Sequence, residues 1–515
     1  MNSFWTAAAS VSADQEPIIE AGERVVPAGP VDVAIVGAGI TGLSTALMLQ
    51  RAGRSVVVVE ATKVAALATG ANTGKASVLQ GARLQHIRRS HSAKVVGAYV
   101  QANLDGQSWI AEFAHERSLP VELETAYSYA QSDTGLKTVL AEFGVAREAG
   151  LPVEVVERMP VPFPFAGAVA LERQLALDPY RLALELADAF VAEGGVLVTG
   201  VRVQGVHASD PVVLDTEQGS LRADDVVIAT ATPILDRGLS FAKIRASRSY
   251  LASFRVGDPP PPGLYLSVDG PSRSVRTAPD PAPESTTRQL LVGGNGHPVG
   301  RVESTAELVD DLVAWTRRHF ADVELTHRWS AQDYESLNQI PFAGRMPRGR
   351  GRIRFATGYA KWGLTNGVAA AIRISAEILG EPWHEHRPWI RTLGTRVTVP
   401  ADLGRGIAEN AKVAGALAAG WVRAEADSAP VTRPAEGDGV VTSRRGVPVG
   451  VSTVDGQTCA VRAVCTHLGG VLRWNDAESS WDCPLHGSRF EASGRLIEGP
   501  ATRDLRSTAR SDGPL

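Results

Sequence analysis

The chain of 515 residues has only three cysteines, Cys459, Cys465 and Cys483, and none before position 459. So thin a supply rules out a fold stapled by disulfides and points to a reducing compartment. An excess of positive charge is missing as well. The formal net charge is −4, which leaves no basic field to offset phosphates, so no nucleic-acid partner is expected. Long hydrophobic runs are absent. The longest, Val31 to Leu49, contains Asp32, Gly37, Gly39 and Gly42, and reads as strand, turn and helix, with no membrane span expected. The opening residues MNSFWTAAASVSADQEP lack the basic start and apolar stretch of a signal peptide, so a cytoplasmic location is expected. No repeat of solenoid period and no low-complexity block occurs.

What is present has the balance of an ordinary soluble protein, 44% hydrophobic and 21% charged, with length for two to four domains. Residues 1–30 read as an N-terminal arm. VDVAIVGAG, ITGLSTALMLQRAG and SVVVVEA then make a βαβ unit. Helical patterns follow at Ala93 to Arg117 and in PYRLALELADAFVAEGG, and DDVVIATAT reads as a buried parallel strand. From Ser247 the chain turns strand-rich, with DPPPPG and PDPAPES as breakers. LLVGGNG predicts a strand and turn, Thr305 to Phe320 a helix, and residues 352–380 a strand, loop and long helix that close the first fold. Residues 391–429 read as a helical connector ending in linker chemistry, and 430–515 as a small all-β domain.

Gly37, Gly39 and Gly42 form G-x-G-x-x-G directly after a strand, with Ile40 and Thr41 opening a helix. Gly37 permits the tight turn, Gly39 the approach of a pyrophosphate to the backbone, and Gly42 the packing of helix on sheet. Glu60 ends the next strand, where its carboxylate accepts from ribose hydroxyls and repels a 2′-phosphate. The later run GGNGHPVG has a misplaced third glycine and is interrupted by Pro298, so it predicts a plain turn and no NAD site.

The two remaining chemical signals are Cys465-Thr-His467 and Cys483-Pro-Leu-His486. Zinc accepts such a ligand set. Zinc-finger spacings, however, group Cys with Cys and His with His. A repeated mixed pair suits two irons, one held by the cysteines and the other by the histidines, which is the Rieske [2Fe–2S] arrangement. Cys459, in Thr-Cys-Ala-Val, is expected to be a buried hydrophobe.

Together these segments resemble the D-amino-acid oxidase / glycine oxidase-like family of FAD-dependent oxidoreductases over about residues 31–385, carried by VAIVGAGITGLSTALML…VVVVE, DPYRLALELA, VVIAT, LLVGG and FATGYAKWGLTNG. Cys-Thr-His-Leu-Gly, Cys-Pro-Leu-His-Gly-Ser and GRLIEGPA similarly resemble a Rieske domain. The resemblance implies a Rossmann-like α/β FAD-binding domain over 31–390, an inserted antiparallel-sheet substrate domain (about 90–175 and 245–345), and an all-β Rieske domain at the C-terminus. It implies FAD rather than NAD, with Gly358, Gly363, Leu364, Thr365 and Asn366 at the flavin end. No cysteine precedes residue 459 and no histidine occurs in Ala61 to Gln85, so non-covalent FAD is expected. Compared with high-potential Rieske proteins, Gly470 and Leu485 stand where an extra cysteine pair is usual, and Phe490 where a tyrosine is common. Ser488 is kept, and a middle or lower potential is expected.

The implied function is oxidation of a small amine or amino acid by hydride transfer to FAD. Electrons then pass singly through the cluster to an external acceptor (a protein, a quinone or O2). Substrate-facing candidates are Tyr250, Lys361, Trp362 and Lys75. Two alternatives stand beside this. A 2-hydroxy-acid dehydrogenase would want a base such as His86, His91 or His297. An electron-transfer flavo-iron-sulfur protein would be fed by a protein donor.

Overall fold

Val31–Val36, Ile40–Arg51 and Val56–Val59 form strand, helix and strand as their apolar pattern dictates, and the two strands pair in parallel. A computed structural model describes residues 3–11, 26, 27, 29–237, 240–280, 285–382, 387–394, 410–413, 415–422 and 433–508. Its central sheet runs Phe342–Arg345, Ile353–Thr357, Gly219–Ile228, Val31–Val36, Val56–Val59 and Val196–Val198. The last five are mutually parallel, and the segments paired at the sheet centre, residues 33–36, 56–59 and 226–228, are buried, which explains their valine and isoleucine content. A hairpin of Val203–His207 and Val212–Thr216 extends this sheet through Gly219–Ile228. The helix Gly363–Leu379 lies on Ile40–Arg51 so closely that a Cβ at Gly367 would stand 2.8 Å from Thr41 Oγ1.

A second sheet of nine strands gathers Lys75–Ala76, Val121–Ala130, Glu154–Val156, Gly167–Leu177 and the five strands between Ile244 and Ser336. It is antiparallel except where Leu264–Ser267 runs beside Val121–Ala130. One expectation fails here. GGNGHP is not a turn but the end of the strand Arg288–Pro298. A Cβ at Gly294 would meet Ser272 O at 2.1 Å, so the glycine serves close strand approach. The N-terminal arm begins with the helix Phe4–Val11, whose buried Phe4 and Trp5 pack edge to face. Ser3 Oγ donates to Gly70 O and Trp5 Nε1 to Asn72 O, each at 2.7 Å.

The tail contains two small sheets, Gly439–Arg444 to Gln457–Arg462 and Arg473–Asn475 to Leu496–Glu498, around buried Trp481 and Phe490. Much of the predicted connector lies outside the described residues. Of the remainder, Val413, Ala416 and Leu417 pack on the tail core, and Trp421 Nε1 donates to Gly469 O. Cys459 is half-buried rather than buried, because strand alternation gives the core face to its neighbour Ala460.

Candidate functional site: two cofactor sites with a common wall

The glycine turn leaves no room for side chains. A Cβ would stand 2.7 Å from Ala229 O at Gly37, where φ is +107°, and 1.9 Å from Gly37 O at Gly42. Gly39 faces Thr69, whose Oγ1 accepts from Ile40 N at 3.1 Å. Glu60 is fixed by three donors: Ala38 N to Oε2 at 2.9 Å, and Thr62 N and Oγ1 to Oε1 at 2.9 and 3.1 Å. One cavity begins at these residues and extends to Lys75, Ser249, Asp333 and the run Lys361–Leu364. A glycine cradle and an acid at the end of the next strand, with a helix N-terminus (Gly363) on the same cavity, fit a dinucleotide laid along it.

Most sequence candidates converge here. Lys75, Tyr250, Lys361, Trp362, Gly363 and Leu364 line the cavity with Gly37, Gly39, Ile40, Thr41 and Glu60. Gly42 and Gly358 act one layer back; Gly358 has φ +84° and packs against Ser336. Thr365 and Asn366 are buried and turn away. Thr365 Oγ1 donates to Asn103 Oδ1 at 2.6 Å and Asn366 Nδ2 to Tyr99 Oη at 3.2 Å, and the backbone N–H of Asn366 is taken by Trp362 O at 3.1 Å. Tyr250 stacks its ring on His297 at 5.7 Å, and burial pushes its phenol up to about 12.

The lysines differ from surface lysines. Lys75 Nζ donates to Tyr265 O at 2.8 Å and Ser274 Oγ at 2.7 Å. Burial, then Arg276, hold its ammonium well below the usual range. Lys361 follows Ala360 in the left-handed region, φ +74° and +51°, a costly pair for residues with a Cβ. Its accessible surface opens on the cavity, and enclosure lowers its pKa while Asp333 and Glu335 pull it back up. Asp333 lines the same cavity, accepts from Lys361 N and has its carboxyl raised by burial. Asp333 escaped the sequence reading because nothing local marks it. Only the pairing of Ile244–Arg255 with Glu324–Ser336 brings it to the cavity.

In the tail, one turn is built twice. Cys465 N donates to Gly470 O and Gly469 N to Cys465 O; Cys483 N donates to Ser488 O and Gly487 N to Cys483 O. Gly469 and Gly487 have φ +73° and +82°, so each turn requires its glycine. The turns bring the two thiols together. Cys483 holds the Cys465 thiol below the ordinary range, and Cys465 raises that of Cys483. The imidazoles of His467 and His486 also meet, 5.2 Å apart and nearly perpendicular. Burial, then His467, lower His486 to about 4, which keeps it neutral, and its buried Nδ1 has no hydrogen-bond partner. Among the described residues no three Cys, His, Asp or Glu side chains close on one point as for a single ion. A paired thiolate end and a paired imidazole end with an unused nitrogen fit a two-iron cluster, which asks for two ligands at each iron. Gly470 and Leu485, one on each turn, pack together: a Cβ at Gly470 would lie 2.7 Å from Leu485 Cδ1.

Sequence reasoning missed how the two sites join. His467 Nε2 lies 2.9 Å from Asp236 Oδ1, and Phe241 stands edge-on to His467 and His486 at 6.0 and 5.0 Å. Gln332 Nε2 donates to Gly487 O at 2.8 Å, and a Cβ on Gly487 would strike Ala246 at 2.6 Å. Ile497, Glu498, Gly499, Ala501 and Thr502 line the dinucleotide cavity, while Ala501 N donates to Ser488 Oγ on the cluster loop.

The sequence pattern of the FAD dependent oxidoreductase (DAO) family matches residues 32–377. The chain belongs to this family. The Rieske [2Fe-2S] domain pattern matches residues 426–509 of the oxidoreductase. It is an FAD enzyme with a [2Fe–2S] cluster domain. YhfW of Bacillus subtilis (strain 168), a Rieske protein, is 27% identical to the oxidoreductase over 480 residues, 92% of each chain. The tail alone is 51% identical over 45 residues to a cytochrome b6-f complex iron-sulfur subunit of Nostoc, a quarter of that subunit's length. Glycine oxidase from Geobacillus kaustophilus covers 68% of the oxidoreductase with 95% of its own chain, at TM-score 0.58 and 19% identity. The L-amino acid deaminase of Proteus vulgaris covers 70% with 96% of its own, at TM-score 0.58 and 14% identity. These two likenesses speak for the fold. No described helix is long and apolar enough to cross a membrane.

Proposed function

We propose that the oxidoreductase removes a hydride from a small amine or amino acid and sends the electrons through its Rieske module to an external acceptor. When bound, FAD supplies the two-electron acceptor and the [2Fe–2S] cluster the one-electron carrier. The observation that carries this reading is the shared wall: the segment Ile497 to Thr502 borders the dinucleotide cavity and, through Ala501 N, supports Ser488 beside the cluster cysteines. Gly37, Gly39, Glu60 and the N-terminus of Gly363–Leu379 would hold FAD, and Cys465, His467, Cys483 and His486 the cluster.

Lys361 and Asp333 give the cavity a cation and an anion, suited to a zwitterionic substrate, and Trp362 adds an aromatic wall beside them. Lys75 is tied to the second sheet and positions its strand. The amine reading is favoured over hydroxy-acid oxidation because His86, His91 and His297 stand outside the cavity wall. Two solved relatives of like fold bear amino-acid names, glycine oxidase and L-amino acid deaminase. Anaerobic mixing with a panel of amines, amino acids and hydroxy acids tests the proposal. Flavin bleaching by amines, followed by the electron-spin signal of a reduced cluster, is expected. Bleaching by hydroxy acids alone, or a cluster that stays oxidised, overturns it.

A further inference from the structure

A knot of buried charge lies where the two modules meet, and of its members only Glu498 borders the dinucleotide cavity. Arg248, on the flavoprotein strand Ile244–Arg255, is fully buried and reaches Glu478 at 2.7 Å and Asp482 at 3.5 Å in the Rieske module. Arg489 pairs with Glu478 and lies 3.6 Å from Asp482 and 3.9 Å from Glu498. Glu498 is 3% exposed, and its Oε1 has no hydrogen-bond partner. Tyr334 faces it from the strand Glu324–Ser336. Two guanidiniums therefore meet three carboxylates.

With all five ionised, one negative charge is uncompensated where water does not reach, and a single bound proton relieves it. The partners decide where that proton sits. Glu478 has both arginines, and Asp482 accepts from Asn475 Nδ2 at 2.9 Å and Ser480 Oγ at 3.0 Å. Glu498 has only the more distant Arg489. Burial raises its carboxyl to about 7 against the pull of Arg489 and Arg248. Glu478, despite its own burial, is held down to about 2 by the same arginines. Meanwhile the Glu498 residue borders the dinucleotide cavity, and three positions onward Ala501 supports the cluster loop.

We infer that Glu498 is the proton-binding site of the electron-transfer step, taking up a proton as the neighbouring cluster accepts an electron and releasing it as the electron moves on. The inference rests on the electron route proposed above. Substrate oxidation delivers a hydride and a proton to the flavin. Its reoxidation returns two electrons and two protons, one proton for each electron that crosses. The Glu498 carboxylate becomes the acid while the cluster is reduced. It returns the proton to solvent when the external one-electron acceptor takes the electron.

The test compares the full-length holoprotein with its Glu498→Gln variant. In mediated titrations the wild-type cluster potential should fall with rising pH through neutrality, and the variant should lack that component. Any slope from the histidine ligands is common to both. Coincident profiles overturn the inference. Mediators carry the electrons, so this result stands apart from whether substrate reduces the cluster. Redox-induced infrared spectra of the wild type alone give a second reading: a protonated-carboxyl C=O band should appear on reduction, and no band overturns the assignment even if the variant fails to fold. Stability gives a third. A carboxyl whose folded pKa is raised loses stability as pH climbs from the ordinary carboxylate range to about 7. Glu498→Gln should therefore match the wild type in acid and unfold at a higher temperature above neutrality. A gap that ignores pH counts against the site.

Discussion

Single glycines separate structural tolerance from function in this chain. Gly42 has the oxygen of Gly37 1.9 Å from any added Cβ, and both atoms belong to backbone that cannot step aside. Gly97 sits in the helix Ala93–Glu116 with nothing within 4 Å. Gly42→Ala should yield protein without bound flavin, read as loss of yellow absorbance at unchanged iron content. Gly97→Ala should stabilise by up to about 1 kcal/mol through helix propensity, read by thermal unfolding of the holoprotein. The sequence showed Gly42 for what it is, because strand, glycine spacing and helix stand together within a dozen residues. It did not show Asp333 or Asp236, whose neighbours carry no pattern and whose roles come from partners 28 and 231 positions away.

At the scale of elements, the helix Ala306–His319 is capped from another module. Asp476 Oδ1 accepts from Thr305 N at 2.8 Å and Ala306 N at 3.0 Å, and Ser304 Oγ donates to its other oxygen at 2.8 Å. Thr305, at the cap position, makes no such bond with its own side chain. Asp476→Ala should cost about 0.5–2 kcal/mol, the range for a lost cap. Burial raises the Asp476 carboxyl, but the bonds from Thr305 and Ser304 outweigh it and hold the pKa below the ordinary aspartate value. A depressed carboxyl stabilises above its unfolded pKa and loses that contribution as pH falls through the folded one. The gap between wild type and Asp476→Ala, followed by thermal unfolding against pH, should persist at neutrality and close below about pH 4. The helix itself was legible from its apolar spacing. Its cap was not, since the capping residue lies 171 positions away and local rules look only to the preceding residue.

For the whole molecule, the junction carries buried charge. Arg248 is the cation that the flavoprotein module contributes to Glu478 and Asp482, and its removal leaves them short of a counter-charge. Arg248→Met should destabilise by roughly 3–5 kcal/mol, the cost of breaking a buried pair, and should separate the unfolding of the two modules into distinct calorimetric transitions. A single unshifted transition would refute that role. The two modules were each readable, one from its βαβ unit and the other from paired Cys-His spacing. Their docking was not, because Arg248, Gln332 and Tyr334 occur on strands whose sequence speaks only of sheet formation.

The placement of Asp236 and Phe241 over His467 and His486 has a bearing on leakage. The two imidazoles are turned inward and roofed by polypeptide, leaving the His467 side chain 8% exposed. On the electron route proposed above, that roof would keep dissolved oxidants and reductants from the imidazole side of the cluster.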